Sequence, residues 1–135
     1  MGQKNSLVVS GNKHCMAFVP FAPEYPYEVW IVPKSCAPCF AYDMENPYFR
    51  NDVAEMLLEV LRRFATVVSM PSLIHYNLML YTGLMLQDRS RSWHWYLRFT
   101  PRSFQVDGGV ECGIKMRILA GISEMYAQKL REAAF

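Results

Sequence analysis

Between positions 53 and 68, apolar residues recur every three or four places: Val53, Met56, Leu57, Val60, Leu61, Phe64, Val67 and Val68. Glu55, Glu59, Arg62 and Arg63 fall on the other side. This period predicts an amphipathic helix with one buried face. Asn51 is placed to cap its start and Pro71 to end it, and Glu59 and Arg63 stand at the i,i+4 spacing of an ion pair.

Elsewhere the pattern is that of short strands. Residues 6–10, 15–19 and 28–32 read as three strands, separated by a Gly11-Asn12 turn and by a stretch that Pro20, Pro23 and Pro26 hold extended. The third stops at Pro33, and residues 34–48, rich in proline and small side chains, read as loop. After the helix, His75–Thr82 reads as a fourth strand and Ser92–Arg102 as a fifth, rich in aromatic residues and closed by Pro101. Residues 106–109 read as a turn, 110–118 as a further strand that Gly113 weakens, and Ser123 as the cap of a closing helix. The expected architecture is α+β: one antiparallel sheet of about five strands, one long helix and one C-terminal helix in a single domain over residues 1–135.

Composition narrows the function classes. The 135 residues are 52% hydrophobic and carry a net charge of +2, so the chain can bury a core and gives no general argument for a nucleic-acid partner. Arg89, Arg91, Arg98 and Arg102 gather near the central strand, where they suit either phosphate or a solvated rim. No apolar run approaches the ~18 residues of a membrane span, and the N-terminus lacks a signal-peptide core. A cytoplasmic setting follows as the expectation, with Cys15, Cys36, Cys39 and Cys112 as thiols or metal ligands rather than disulfides.

His94, flanked by Trp93 and Trp95, is one of three histidines and the centre of the candidate chemistry. Cys36 and Cys39 form a single Cys-x-x-Cys, which with an imidazole could hold zinc; the alternative is two small loop thiols and a hydrogen-bonded core histidine. His14 and His75 read as structural or solvated. Phe21, Tyr25, Tyr27, Trp30 and Trp93 read mostly as core.

Four segments together resemble the C-terminal half of the galactose-1-phosphate uridylyltransferase family, and within it the ADP-glucose phosphorylase-like branch. They are Pro20-Phe21-Ala22 with Pro26-Tyr27-Glu28-Val29-Trp30-Ile31-Val32-Pro33-Lys34, Tyr76-Asn77-Leu78-Met79-Leu80, His94-Trp95-Tyr96-Leu97-Arg98-Phe99 with Pro101, and Gly108-Gly109-Val110-Glu111-Cys112-Gly113. The resemblance implies a histidine-triad-like fold and a nucleotide sugar or hexose phosphate as ligand. It also implies a partner, either a second copy in a homodimer or a missing N-terminal half. On it, His94, Asn77, Gly109, Glu111 and Gly113 are expected to bind ligand, and zinc is expected on Cys36, Cys39 and His94.

The departures point the other way. The nucleophilic His-Pro-His of the family's N-terminal half has no counterpart, so no catalytic residue is assigned and turnover by this chain alone is not expected. In uridylyltransferases with a metal in this half, the ligands sit at the end of the fourth strand and at two histidines of the central strand. Those positions read Tyr81, His94 and Tyr96 here, so that site is expected to be lost, and Lys115 departs from an acidic or small residue. A non-catalytic relative kept for protein interaction or assembly is the alternative. A free-standing histidine-triad hydrolase would need a His-x-His-x-His strand that is absent.

Overall fold

The computed structural model describes residues 6–35, 39–69, 74–83, 94–102 and 119–133. Its elements are β1 (Val8–Gly11), β2 (Cys15–Phe18), β3 (Val29–Pro33), α1 (Phe40–Met44), α2 (Pro47–Val68), β4 (Tyr76–Tyr81), β5 (Tyr96–Pro101) and α3 (Ser123–Glu132). The five strands form one antiparallel sheet in the order β1-β2-β3-β5-β4, as expected from the strand pattern. None of the described helices is long and apolar enough to cross a membrane.

Strand alternation gives the sheet two unlike faces. Cys15, Ala17, Val29, Ile31, Trp95, Leu97 and Phe99 are buried on one. Helix α2 lies over it with Phe49, Val53, Met56, Val60 and Phe64 turned inward, and α3 adds Tyr126, Ala127 and Leu130. The helical period of residues 53–68 therefore does what it predicts. Among the described residues Trp95 is the largest fully buried side chain; its ring meets Phe40 edge-on at 4.9 Å, and its Nε1 donates to Asp43 Oδ2 at 2.6 Å.

The start of α2 corrects the sequence expectation. The cap is Asn46, not Asn51: its side chain accepts from the Tyr48 and Phe49 amides at 3.0 and 3.5 Å, and Pro47 occupies the first turn. Proline there forfeits only an N–H that the helix leaves without a partner, so Asn-Pro was the start signal and not a loop signal. Residues 40–44 likewise form a short helix inside the stretch expected to be loop. At the other end, α2 stops at Val68 with Ser69 in the left-handed region (φ 54°), two residues before the expected stop at Pro71.

Ser123 is the first residue of α3 rather than its cap. Its hydroxyl donates to the Phe21 carbonyl at 2.8 Å and ties the helix to the proline-rich loop. Phe21 itself is 84% exposed and does not join the core as expected, whereas Tyr27 does. Arg63 pairs with Glu59 at 2.8 Å as the i,i+4 spacing predicts. Its Nη1 also donates to the carbonyls of Leu130, Arg131 and Ala133, closing the C-terminus of α3.

Candidate functional site

Opposite the helices, the sheet shows a half-buried face built from the alternate positions of each strand: Met16 and Phe18, Trp30 and Val32, Tyr96 and Arg98, Met79 and Tyr81. An aromatic row crosses four strands here. Tyr81 stacks on Tyr96 at 4.5 Å and 11°, Tyr96 on Trp30 at 4.6 Å and 13°, and Phe18 leans on Trp30 at 6.1 Å. Tyr81 and Tyr96 face each other directly in the β4–β5 register, and Trp30 reaches Tyr96 diagonally because its direct neighbour is Arg98. Burial pushes the Tyr96 phenol above its ordinary pKa, and Tyr81 beside it adds to that rise. The Tyr96 ring therefore serves as a neutral stacking group near neutral pH.

Beside the row lies a carboxylate–guanidinium cluster. Glu28 is only 1% exposed. Its two oxygens accept from Arg98 Nε at 2.7 Å, Arg98 Nη2 at 3.1 Å, Trp30 Nε1 at 2.7 Å and the Glu24 amide at 2.9 Å. Arg98 also donates to the Glu24 carboxylate and lies over the Tyr25 ring at 5.8 Å. The hydrogen bonds Arg98 donates to Glu28, with a further contribution from that to Glu24, raise its pKa above its already high value against the opposing effect of burial. Arg98 is thus committed to internal carboxylates, which removes it from the arginine group read as phosphate-facing or as a solvated rim. Glu28 arrives at this place from Tyr27, whose backbone holds φ 60°, a conformation that costs a bulky residue about 1–3 kcal/mol. The Tyr27 ring packing on Tyr126 (4.8 Å) and Phe64 (6.2 Å) offsets that cost.

The expected site residues are distributed as follows. His94 is exposed two residues ahead of β5. Asn77 is exposed on β4 on the same face as Tyr81, and its own carbonyl accepts from the Thr100 hydroxyl at 3.4 Å. Gly109, Glu111, Gly113 and Cys36 lie outside the described residues. Cys39 is buried just ahead of α1. Among the described residues, no three of His, Cys, Asp and Glu come together as a metal-holding group. At the far end of β4 and β5, Ile74, His75, Tyr76 and Arg102 line an open cavity of about 470 Å³.

Sequence reasoning missed the Glu28–Arg98 cluster. Its available signal was an acidic residue at the head of a strand otherwise made of Val, Trp and Ile. It also missed that His14 Nδ1 pairs with Asp52 at 2.8 Å across 38 residues, holding the β1–β2 turn to α2.

Cys15, fully buried nearby, has its thiol pushed up from 9.0 to about 12, first by burial and then by the negative charges of Asp52 and Asp43. A folded-state pKa above the unfolded one means that the native state holds the extra proton. The corresponding stability is complete below pH 9.0 and is lost as pH rises from there toward about 12, at roughly 1.4 kcal/mol per pH unit. Cys15→Ala should therefore flatten the alkaline limb of a denaturation profile relative to the parent chain. Equal slopes for the two would refute the assignment.

The long helix across one face of a five-stranded antiparallel sheet is a histidine-triad-like fold. A Hit-like protein of Bartonella henselae superposes with a TM-score of 0.63 over 96% of this chain and 87% of its own, at 14% identity. No family model matches the sequence. In sequence the chain is similar to the ADP-glucose phosphorylase of Arabidopsis thaliana, at 29% identity over 129 residues. That match takes in 94% of this chain but 35% of the relative, so the chain spans about a third of the relative's length. A crystal structure of an Arabidopsis thaliana ADP-glucose phosphorylase with bound ADP-glucose superposes with a TM-score of 0.81 at 27% identity. It covers 98% of this chain and 42% of that one. A GalT-like protein of the same plant gives a TM-score of 0.80, also at 27% identity, over 96% of this chain and 42% of its own.

Proposed function

We propose that this chain is a nucleotide-sugar-binding lobe of the kind that forms the C-terminal half of a hexose-1-phosphate nucleotidylyltransferase, and that it does not turn over substrate alone. The observation that carries this reading is the homology across nearly the whole chain to ADP-glucose phosphorylase, together with the ADP-glucose bound in a relative of the same fold. The chemistry of the described residues agrees with binding without catalysis. A nucleotidyl-enzyme intermediate needs an activated imidazole and a group that steadies the departing phosphate. Here the described open face presents tyrosine rings, an indole and a guanidinium already held by two carboxylates. His94 is the imidazole nearest in sequence to this face; its role in the proposal is to donate a hydrogen bond to ligand.

Calorimetric titration of the purified chain with ADP-glucose and with UDP-glucose tests the reading. Saturable binding to one of them is expected, and His94→Ala should weaken it roughly tenfold, the value of one lost hydrogen bond of about 1.4 kcal/mol. No heat from either ligand in a folded sample would overturn the proposal. Zinc content measured on the same sample tests whether Cys36, Cys39 and His94 hold a metal.

A second reading, a non-catalytic protein kept for interaction, is favoured by one specific feature. Tyr81 and Tyr96 fill with a packed ring stack two of the positions where the resemblance places metal ligands.

A further inference from the structure

The structure divides the arginines whose sequence suits either phosphate or a solvated rim. Arg98 is held by Glu28 and Glu24, and Arg89 and Arg91 lie outside the described residues. Elsewhere, Arg50, Arg63 and Arg131 each donate to backbone carbonyls. Arg102 is different. It is exposed, and among the described residues no carboxylate or carbonyl holds its guanidinium.

The backbone sets a second donor beside it. Tyr76 pairs with Pro101 in the β4–β5 register, and one residue further the Arg102 N–H donates to the His75 carbonyl at 2.7 Å. His75 therefore stands opposite Arg102. Opposed residues of an antiparallel pair carry their side chains on one face, with Cβ atoms about 4.5–5.5 Å apart, close enough for one tetrahedral anion to meet both. A guanidinium and an imidazole are thus brought together without a described acceptor between them.

Both residues line the open cavity of about 470 Å³ at this end of the two strands, with Ile74 and Tyr76. Among the described residues this lining contains two nitrogen donors, a phenol and an aliphatic side chain, and no carboxylate. The Tyr76 ring packs on Phe99 at 5.2 Å, which fixes one wall. The volume lies within the range of small-molecule sites, about 300–1,000 Å³, and leaves room for more than a bare anion.

We propose that this cavity binds a phosphate monoester, with the phosphate between Arg102 and His75 and the organic body against Ile74 and Tyr76. The planar fork of a guanidinium matches two phosphate oxygens, and an imidazole N–H can donate to a third. The site is separate from the one proposed for a nucleotide sugar. His94 precedes β5 and Arg102 follows it, roughly 25 Å apart at about 3.3 Å per residue of strand, so one phosphate cannot reach both. The proposal holds whether or not a nucleotide sugar is recognised.

The test is titration of the full, isotope-labelled chain with phenyl phosphate and with inorganic phosphate, followed by amide chemical shifts. The expected result is saturable movement of His75, Tyr76 and Arg102, with phenyl phosphate the tighter of the two probes. Arg102→Ala should weaken phenyl phosphate roughly tenfold, and Arg102→Lys, which keeps the charge and loses the fork, by less. Equal affinity for the two probes would assign the cavity to free phosphate and overturn the monoester. The site itself is overturned by an absence of saturable shifts at these three residues, by shifts centred on His94 instead, or by a folded Arg102→Ala chain that binds as the parent does. Should Arg102→Ala fail to fold, the position of the shifts in the parent chain decides by itself.

Discussion

Trp95→Ala should lower the unfolding free energy by about 4 kcal/mol, within the range for emptying a fully buried large aromatic site. The ring is 0% exposed and wedged between Phe40 at 4.9 Å and Phe49 at 6.2 Å. Its Nε1 also donates to Asp43. The substitution therefore leaves a cavity beneath the start of β5 and removes the hydrogen bond that holds α1 against the sheet. Trp95→Phe separates the two effects. It keeps most of the packing and loses the bond, so the cost should fall to about 1.5 kcal/mol, because half-buried Asp43 can turn to water. Chemical denaturation reads both values, and for a chain of this size the larger one corresponds to roughly 15 °C in Tm. Equal costs for the two variants would mean that the hydrogen bond, not the ring volume, carries the site.

Glu28→Met is the second large effect, with an expected loss of about 3 kcal/mol. Removing one partner of a buried pair leaves the other charge desolvated, which typically costs 3–5 kcal/mol. The low end applies because Arg98 is 16% exposed and keeps Glu24, itself 60% exposed. Trp30 Nε1 and the Glu24 amide also lose their acceptor. The diagnostic is the double variant. Glu28→Met with Arg98→Met removes both charges and should be more stable than Glu28→Met alone, since no guanidinium is then left without its carboxylate. A double variant less stable than the single one would show that Arg98 stabilises the face through its packing on Tyr25 rather than through Glu28. The same cycle bears on function, because the cluster fixes the Trp30 ring on which Tyr96, and through it Tyr81, is stacked.

Much of the fold was legible because its signals are local. The 3.6-residue period of Val53, Met56, Val60 and Phe64 needs only the helix itself to express it, and the alternation within residues 15–18, 29–33 and 96–101 needs only the strand. The resemblance to the GalT-like proteins rested on order and spacing of four segments, and the homology agrees with it. The start of α2 was misread because Asn46-Pro47 stands beside several other prolines and small residues, where a helix cap and a turn have the same composition. Phe21 belonged to a set of aromatics read as mostly core, and it is one the proline-rich loop carries out to solvent while handing its carbonyl to Ser123.

By itself, then, the sequence determined the five strands, the body of the long helix and the closing helix, the antiparallel α+β class, the similarity to ADP-glucose phosphorylase, and that these 135 residues contain no His-Pro-His. These depend on residue identity and on neighbours a few positions apart. Tertiary structure alone decided that Glu28 serves Arg98 across 70 residues and that Tyr81 and Tyr96 stack. Each is a pairing between distant segments. The strand order β1-β2-β3-β5-β4 and the register of β4 on β5 set those pairings, and neither follows from the residues taken one segment at a time.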